Sequence, residues 1–419
     1  LNQLGVMLPY TGILALLSEA FPYPMIATSG NIHGSPICYS EADAREKLGG
    51  VADYFFEHSL QIVHPQDDSV VRFTQPPARR IVLRRSRGMA PNYSRTVKKG
   101  AGSGLLALGG QLKSSIGYIP NNFLYISEYL GSLDNFDVYE RFTRTVSDFT
   151  ALFGQTPKAL LTDSHPAYLS TQYGKELSRK WSIPNFNIPH HKAHFAAVLG
   201  EHDLFEQNDP VLGVIWDGTG YGEDGQIWGG EFFRYEQEKI DRVGQLEYYE
   251  WLSGDKMARE PRLSLFSLFD GVSELIRGKF TEEEWRLFGQ LKSANRLKTS
   301  SAGRLFDAAS SLLGFCDFNS FEGEAAMLLE SARRDFDLKK ARCFVSLDAE
   351  ENIPSKQLIN SLHEALVSGR PPSQIAGDFI FTLATLILEK AELESVGKIA
   401  FSGGVFQNAW LIALLQHLN

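Results

Sequence analysis

The sequence predicts a mixed α/β protein whose larger part contains a duplicated unit. The unit is a short apolar strand, a glycine-containing turn and a second strand, and its two copies lie at residues 105–119 and 211–235. Segments with helical patterns follow both copies. Two similar α/β halves are therefore expected, at about 105–210 and 211–419.

Two such units, each followed by helices, are typical of the actin-like ATPase fold, in which the two turns hold the phosphates of a nucleotide from opposite sides. A separate first part is predicted at residues 1–93, because the stretch 94–104 is polar and rich in glycine and lysine, as linkers are. The predicted order is thus a small domain, a linker and a duplicated domain at 105–419.

Composition limits the classes of function. The chain has 419 residues, of which 43% are hydrophobic and 22% charged, enough for two or three packed domains. Its net charge of −9 argues against nucleic acid as a partner. Three widely spaced cysteines without a CxxC pair indicate reduced thiols in the cytoplasm. No apolar run approaches the roughly 18–20 residues that span a bilayer, so no membrane partner is expected.

The first part contains two candidate anion-binding segments. Residues 22–31 read as a buried strand that brings Thr28, Ser29 and Asn31 to a turn, and those residues taken alone favour an ordinary polar turn over an anion site. Residues 79–87 hold five arginines around a short strand, and guanidinium groups bind phosphate in bidentate geometry. A solvated charged face is the alternative for this second segment.

The glycine-rich segment 217–225 is predicted to be a turn between two strands. A strand follows it, so the dinucleotide-binding fingerprint, which must open a helix, is excluded, and the chain has no P-loop motif. What remains is a hairpin whose backbone N–H groups approach an anion closely, or a plain hairpin turn. A second glycine turn at 402–408 opens a helix and is a natural seat for an anion.

A candidate metal site precedes the segment 217–225. His190 and His194 lie one turn apart on a predicted helix, and Asp217 is expected at the end of an apolar strand. Two imidazoles and a carboxylate suit zinc or ferrous iron without discriminating between them. Histidines that merely belong to the core are the alternative. His191 is expected to point elsewhere on the helix, and Lys192 is no ligand while it is charged.

Seven segments of the chain, in their order, resemble the HypF carbamoyltransferases of nickel–iron hydrogenase maturation. The segments are 28–31, 67–72, 83–88, 190–194, 217–231, 300–307 and 402–408. The resemblance implies that residues 1–93 are the C-terminal part of a YrdC-like α/β domain and that residues 105–419 form a transferase domain of the actin-like (ASKHA) fold.

The resemblance also implies a reaction. The first domain would make carbamoyl-adenylate from carbamoyl phosphate and ATP, with Mg²⁺ accompanying the nucleotide. The second would pass the carbamoyl group to the C-terminal cysteine of the partner HypE, a precursor of the cyanide ligands. The implied catalytic residues are His190, His194, Asp217 and Lys113, the first three as metal ligands. The implied nucleotide-binding residues are Thr28, Ser29, Asn31, Asp68, Ser69, Arg85, Arg87, Gly218, Gly220, Gly303, Glu322, Gly403, Gly404 and Asn408.

Other functions stay open at this point. We expect the chain to be a piece of a longer protein, because it begins at Leu1 without Met and ends inside a predicted helix. The family's fourth metal ligand, an aspartate, would lie beyond Asn419, and the early lysine and arginine region of the YrdC-like domain would be missing. The alternatives are carbamoyl or threonylcarbamoyl transfer to a small-molecule hydroxyl or to tRNA, and a non-enzymatic ATP-binding scaffold.

Overall fold

The structure is a computed structural model that describes residues 3–32, 34–74, 78–90, 92–94, 103–271, 273–333 and 336–418. Its strands form one two-stranded and two six-stranded sheets. In this described part of the chain, helices are either too short or too polar to cross a membrane.

The N-terminal part contains two helices and one antiparallel strand pair: α1 (Gly12–Ala20), α2 (Glu41–Leu48), β1 (Val70–Phe73) and β2 (Arg80–Arg84). The short strand predicted within residues 79–87 is confirmed as β2. The buried strand predicted over 22–31 is wrong, because these residues form no strand and residues 22–29 are exposed. Pro22 and Pro24 have no N–H to donate to a ladder, which disfavours pairing here.

The first six-stranded sheet has the order β3-β6-β5-β4-β7-β8. Its strands are β3 (Asn92–Ser94), β4 (Leu105–Ala107), β5 (Gly117–Ile119), β6 (Leu124–Ile126), β7 (Ala159–Asp163) and β8 (Asn185–Ile188). The helix α3 (Phe136–Phe153) connects β6 to β7, and α4 (Leu169–Trp181) connects β7 to β8. Most of the predicted linker lies outside the described residues, and the domain boundaries stay predictions.

The second six-stranded sheet has the order β12-β13-β10-β9-β14, with β11 paired to β10. Its strands are β9 (Val211–Tyr221), β10 (Ile227–Glu236), β11 (Lys239–Gln245), β12 (Tyr249–Glu250), β13 (Lys298–Thr299) and β14 (Ile399–Ser402). The turn predicted over 217–225 is partly wrong, because β9 continues through Tyr221. Pairing of Tyr221 with Ile227 and of Gly220 with Trp228 holds these residues in the strand.

The two sheets repeat one topology. In the first, β4 pairs antiparallel with β5 and parallel with β7, and β6 lies outside β5. In the second, β9 pairs antiparallel with β10 and parallel with β14, and β11 lies outside β10. The predicted duplication and the α/β fold class are confirmed.

Helices pack against and beside the second sheet. They are α5 (His190–Glu201), α6 (Lys256–Arg259), α7 (Pro261–Leu268), α8 (Glu274–Arg277), α9 (Glu282–Ala294), α10 (Ala302–Leu312), α11 (Glu324–Ala332), α12 (Ser355–Val367), α13 (Pro372–Leu393) and α14 (Ala409–Leu418). The helix α5 precedes β9 in sequence, yet its Phe195 and Leu199 are fully buried in one cluster with Val211 and Ile215 of β9. This packing fixes the helix that carries the histidines against the strand that carries Asp217.

Candidate metal centre and central cleft

Three side chains converge where α5 begins beside β9. His190 Nε2 lies 3.4 Å from Asp217 Oδ2, and His194 Nε2 lies 3.8 Å from the same oxygen. One possible ligand atom from each of the three lies within 4.8 Å of the others. We call His190, His194 and Asp217 the His–Asp cluster. The i,i+4 spacing and the apolar strand therefore identified residues that the fold brings together.

The expectation that His191 points elsewhere is wrong. Its ring is fully buried, and its Nε2 lies 3.1 Å from Asp217 Oδ1. With 3.6 residues per turn, positions 190, 191 and 194 fall within roughly 100° of the helix circumference. A strand that crosses this side of the helix therefore meets all three imidazoles. Lys192 instead pairs with Glu223 at 2.7 Å.

Two further polar groups hold the outer nitrogens of the imidazoles. Asp163 Oδ2 lies 2.9 Å from His190 Nδ1, and Ser402 Oγ lies 2.9 Å from His194 Nδ1. Sheet register explains both contacts, since Asp163 pairs with Ile188 two residues before His190, and Ser402 pairs with Ile215 two residues before Asp217. The sequence interpretation missed both residues. Each is the polar last residue of an otherwise mostly apolar strand. A polar residue at the end of an apolar strand is the sequence signal that could have identified both.

This arrangement fits a divalent metal ion. Contacts at Nδ1 of both histidines leave each Nε2 facing Asp217, and a partner on the outer nitrogen is what fixes the tautomer of a metal-binding histidine. Two nitrogens and one carboxylate oxygen suit zinc or iron. The side chains that would hold the ion are therefore in place, although their geometry does not select one metal.

The electrostatics of the cluster favour a positive charge at its centre. Burial lowers the pKa of His190, but the hydrogen bonds and charges of Asp163 and Asp217 outweigh it and raise that pKa to about 10. Burial and the neighbouring charge of His190 lower the pKa of His194 to about 4. Burial opposes the charged form of Asp217, yet His191 and His190 hold its pKa well below the usual range. A cluster that retains a proton this strongly also attracts a metal cation.

Gly220 makes room for the imidazoles. A Cβ atom at this position would lie 2.3 Å from Cε1 of His191 and 2.9 Å from Cδ2 of His190. The predicted role of Gly220 was nucleotide binding, but the structure places it against the histidines. Gly403 also lies where a side chain does not fit. Its φ is +107°, and a Cβ atom there would lie 2.1 Å from the carbonyl oxygen of Trp216.

A cleft of about 190 Å³ is lined by Asp217 as well, and we call it the central cleft. Seven residues predicted for the site line it: Lys113, Asp217, Gly218, Gly303, Glu322, Gly404 and Asn408. Lys113, which comes from the first half, has φ +50° and pairs with Glu322 of the second half at 2.8 Å. The two halves thus meet across the cleft through opposite charges.

The central cleft also contains charged residues that the sequence interpretation missed. Arg304 Nε lies 2.7 Å from Asp307 Oδ2 on α10, and both side chains are almost fully buried. Burial raises the pKa of Asp307 to about 6, although Arg304 opposes this shift. Arg72 and Glu330 line the cleft as well.

The predicted nucleotide-binding residues of the N-terminal part do not line the central cleft: Thr28, Ser29, Asn31, Asp68, Ser69, Arg85 and Arg87. Several make contacts within the protein. Arg85 Nη1 donates to the carbonyl of Ser127 at 2.9 Å, and Arg87 Nη2 donates to that of Gln66 at 2.9 Å. Asn31 Nδ2 donates to the carbonyl of Ser35 at 2.9 Å. A role for these residues at a separate anion site stays a prediction.

Comparison with known families gives three matches along the chain. Residues 213–418 match the model described as carbamoyltransferase, Kae1-like domain, second subdomain. Residues 101–201 match the HypF Kae1-like domain. Residues 1–86 match the Sua5/YciO/YrdC model, which is described as telomere recombination. The three matches follow the order expected from the sequence.

Several curated relatives of the chain are named carbamoyltransferase HypF. The chain is 34% identical to the carbamoyltransferase HypF of Synechocystis sp., with 98% of this chain and 55% of the relative covered. It is 30% identical to a carbamoyltransferase HypF homolog of Cupriavidus necator, with 68% of this chain and 76% of that relative covered. The chain spans about half the length of most of the curated relatives it matches.

Solved structures agree with these matches. A full-length HypF in a phosphate- and nucleotide-bound form has a TM-score of 0.91 at 30% identity, covering 99% of this chain and 66% of that one. The HypF of T. kodakarensis has a TM-score of 0.83 at 30% identity, covering 93% of this chain and 53% of that one.

Proposed function

Because this chain belongs to the HypF carbamoyltransferase family, whose members are transferases, we propose that it transfers an activated carbamoyl group at the wall between the central cleft and the His–Asp cluster. One observation carries the proposal. Asp217 belongs to the cluster and also lines the cleft, immediately before Gly218. A nucleotide in the cleft would thus lie beside the candidate metal ligands.

The proposed donor is carbamoyl-adenylate, formed from carbamoyl phosphate and ATP with Mg²⁺ by the Sua5/YrdC-like domain. The proposed acceptor is the C-terminal cysteine of HypE, in the cytoplasm. In the transfer, the thiolate sulfur forms a bond to the carbamoyl carbon, the bond from that carbon to the phosphate oxygen breaks, and AMP leaves. Such an anhydride is already activated, so the site has to orient it and stabilise the oxyanion that develops.

Each group has a part in this proposal. Lys113 and the backbone around Gly218 and Gly404 would bind the phosphate of the adenylate. His190, His194 and Asp217 would hold a zinc or iron ion, which when bound polarises an oxygen as a Lewis acid. Asp163 and Ser402 keep the imidazoles oriented. Since the acceptor thiol comes from the partner, the chain's own cysteines have no required role.

The test follows label from carbamoyl phosphate. The reaction mixture contains the chain, HypE, Mg-ATP and labelled carbamoyl phosphate. A second mixture also contains a full-length relative whose cluster histidines are replaced by Ala. This relative is a second source of carbamoyl-adenylate. We expect label on the terminal cysteine of HypE, and loss of label when His190→Ala and His194→Ala are combined in the chain. Label that stays off HypE with both sources present would refute the transfer. Lys192→Ala, on the same helix but outside the cluster, is the matched control.

A further inference from the structure

A partly buried ion pair connects the N-terminal part to the central cleft. Arg72 on β1 and Glu330 on α11 form two parallel contacts, Nη1 to Oε2 at 3.0 Å and Nη2 to Oε1 at 2.7 Å. Their side chains are only 19% and 7% exposed. Both residues line the central cleft, so a side chain of the first part is built into the wall of a cleft in the second.

Glu330 has a second contact that leads to the predicted nucleotide site. Its Oε1 accepts a hydrogen bond from the backbone N–H of Ala409 at 3.1 Å. Ala409 is the first residue of α14 and directly follows Asn408, which lines the cleft with Gly404. The carboxylate therefore holds the first turn of α14, on which the position of the 404–408 turn depends.

Arg72 holds this carboxylate by bonding both of its oxygens, whereas Arg333 acts on it through charge alone among the described contacts. A buried carboxylate without a compensating charge is strongly unfavourable, whereas a planar guanidinium that bonds both oxygens satisfies it. Lysine cannot reproduce the two parallel bonds. If Arg72 is removed, Glu330 loses both hydrogen bonds to the guanidinium and turns toward water or toward the charge of Arg333, and either change weakens the contact with Ala409.

We propose that Arg72, which the N-terminal part supplies, is a positioning residue for the central cleft. It acts through Glu330 on the start of α14. The inference rests on the proposed function in that the cleft binds a nucleotide. Because linkage is reciprocal, docking of the N-terminal part strengthens nucleotide binding, and a bound nucleotide strengthens docking.

The first test measures the Kd of Mg-ATP by calorimetry. We expect Arg72→Ala to weaken binding on the order of tenfold, and Arg72→Lys to fall between this variant and the wild type. Arg45→Ala, an exposed arginine of α2 in the same N-terminal part but outside the predicted anion-binding segments, should leave binding unchanged. An unchanged Kd for Arg72→Ala would overturn the proposal.

A double variant separates action through Glu330 from a direct contact with ATP. Glu330→Gln keeps an oxygen for the N–H of Ala409 but removes the charge that requires Arg72. We expect Arg72→Ala with Glu330→Gln to bind Mg-ATP several-fold more tightly than Arg72→Ala alone. A double variant as weak as Arg72→Ala would mean that Arg72 contacts the nucleotide itself, and the positioning role would be refuted.

Hydrogen exchange gives a readout that does not depend on nucleotide. Arg72→Ala should speed amide exchange at 409–412, and Arg45→Ala should not. Exchange in α4, whose contacts with Gln111 and Asp163 lie within the first half, should stay constant and show that the variants are folded. If the wild type binds no ATP, the nucleotide part of the proposed function fails, and exchange at 409–412 still decides on Arg72. Equal exchange at 409–412 in Arg72→Ala and in its control variant would refute the positioning role of Arg72.

Discussion

Replacing Gly220 by alanine should displace the histidines of α5 and so weaken metal binding by the His–Asp cluster. The new Cβ would lie 2.3 Å from Cε1 of His191, whereas ordinary contacts begin at 3.4 Å, so the ring has to retreat by about 1 Å. It would also lie 2.9 Å from both Nδ1 of His191 and Cδ2 of His190. Metal–ligand distances tolerate only about 0.2 Å. His190, a proposed ligand, would have to move by about 0.5 Å to restore ordinary contact, and the retreat of His191 would disturb its contact with Asp217, so most of the metal affinity should be lost.

Gly218 provides the matched control two residues earlier in β9. A Cβ there would meet no atom within 4 Å, so Gly218→Ala should retain zinc binding. We expect overpacking in Gly220→Ala to cost about 1–3 kcal/mol of stability, which lowers Tm by roughly 2–12 °C for a part of this size. Zinc affinity is measured by competition with a chromophoric chelator, and Tm by circular dichroism. Wild-type affinity and Tm in Gly220→Ala would refute the argument.

Three further predictions address other residues. Asp163→Asn should weaken zinc binding about 10- to 100-fold, because an amide orients His190 less well; an unchanged competition titration would contradict this. Burial raises the pKa of Asp307 to about 6 despite Arg304, from an ordinary value of 3.8, so its folded form binds the proton more tightly than the unfolded chain does. The stability of the wild type relative to Asp307→Asn should thus rise as pH falls from 7 to 4, measured by urea unfolding, and a difference independent of pH would oppose it. Phe195→Ala should lower the free energy of unfolding by about 3–5 kcal/mol, because the ring is fully buried between α5 and β9; a urea midpoint equal to that of the wild type would be the contrary result.

The sequence predicted what depends on neighbours along the chain. Apolar runs gave the strands of both copies, and the spacing of His190 and His194 placed two imidazoles on one side of a helix. Failures occurred where the outcome depends on partners that a local pattern does not contain. The stretch 22–31 is apolar enough for a strand but is exposed and unpaired in the described structure, and His191 could not be assigned without knowing which strand crosses α5.

Other site residues are invisible to local patterns for a geometrical reason. Asp163 and Ser402 reach the imidazoles through sheet register, which a single strand does not reveal. Arg72 and Glu330 are 258 positions apart. Such a pair becomes recognisable only when the three-dimensional arrangement is known.

The placement of α5 determines how this protein can be divided. A cut in the loop between α5 and β9 would follow the sequence repeat, but it would strip Phe195 from the second sheet and leave His190 and His194 on a fragment without Asp217. A cut at Pro189 would keep the three side chains together and, among the described contacts of their imidazoles, would place only that between Asp163 and His190 across the cut. Two fragments produced by a cut before α5 should therefore reassemble, and the contact between Asp163 and His190 should form between them.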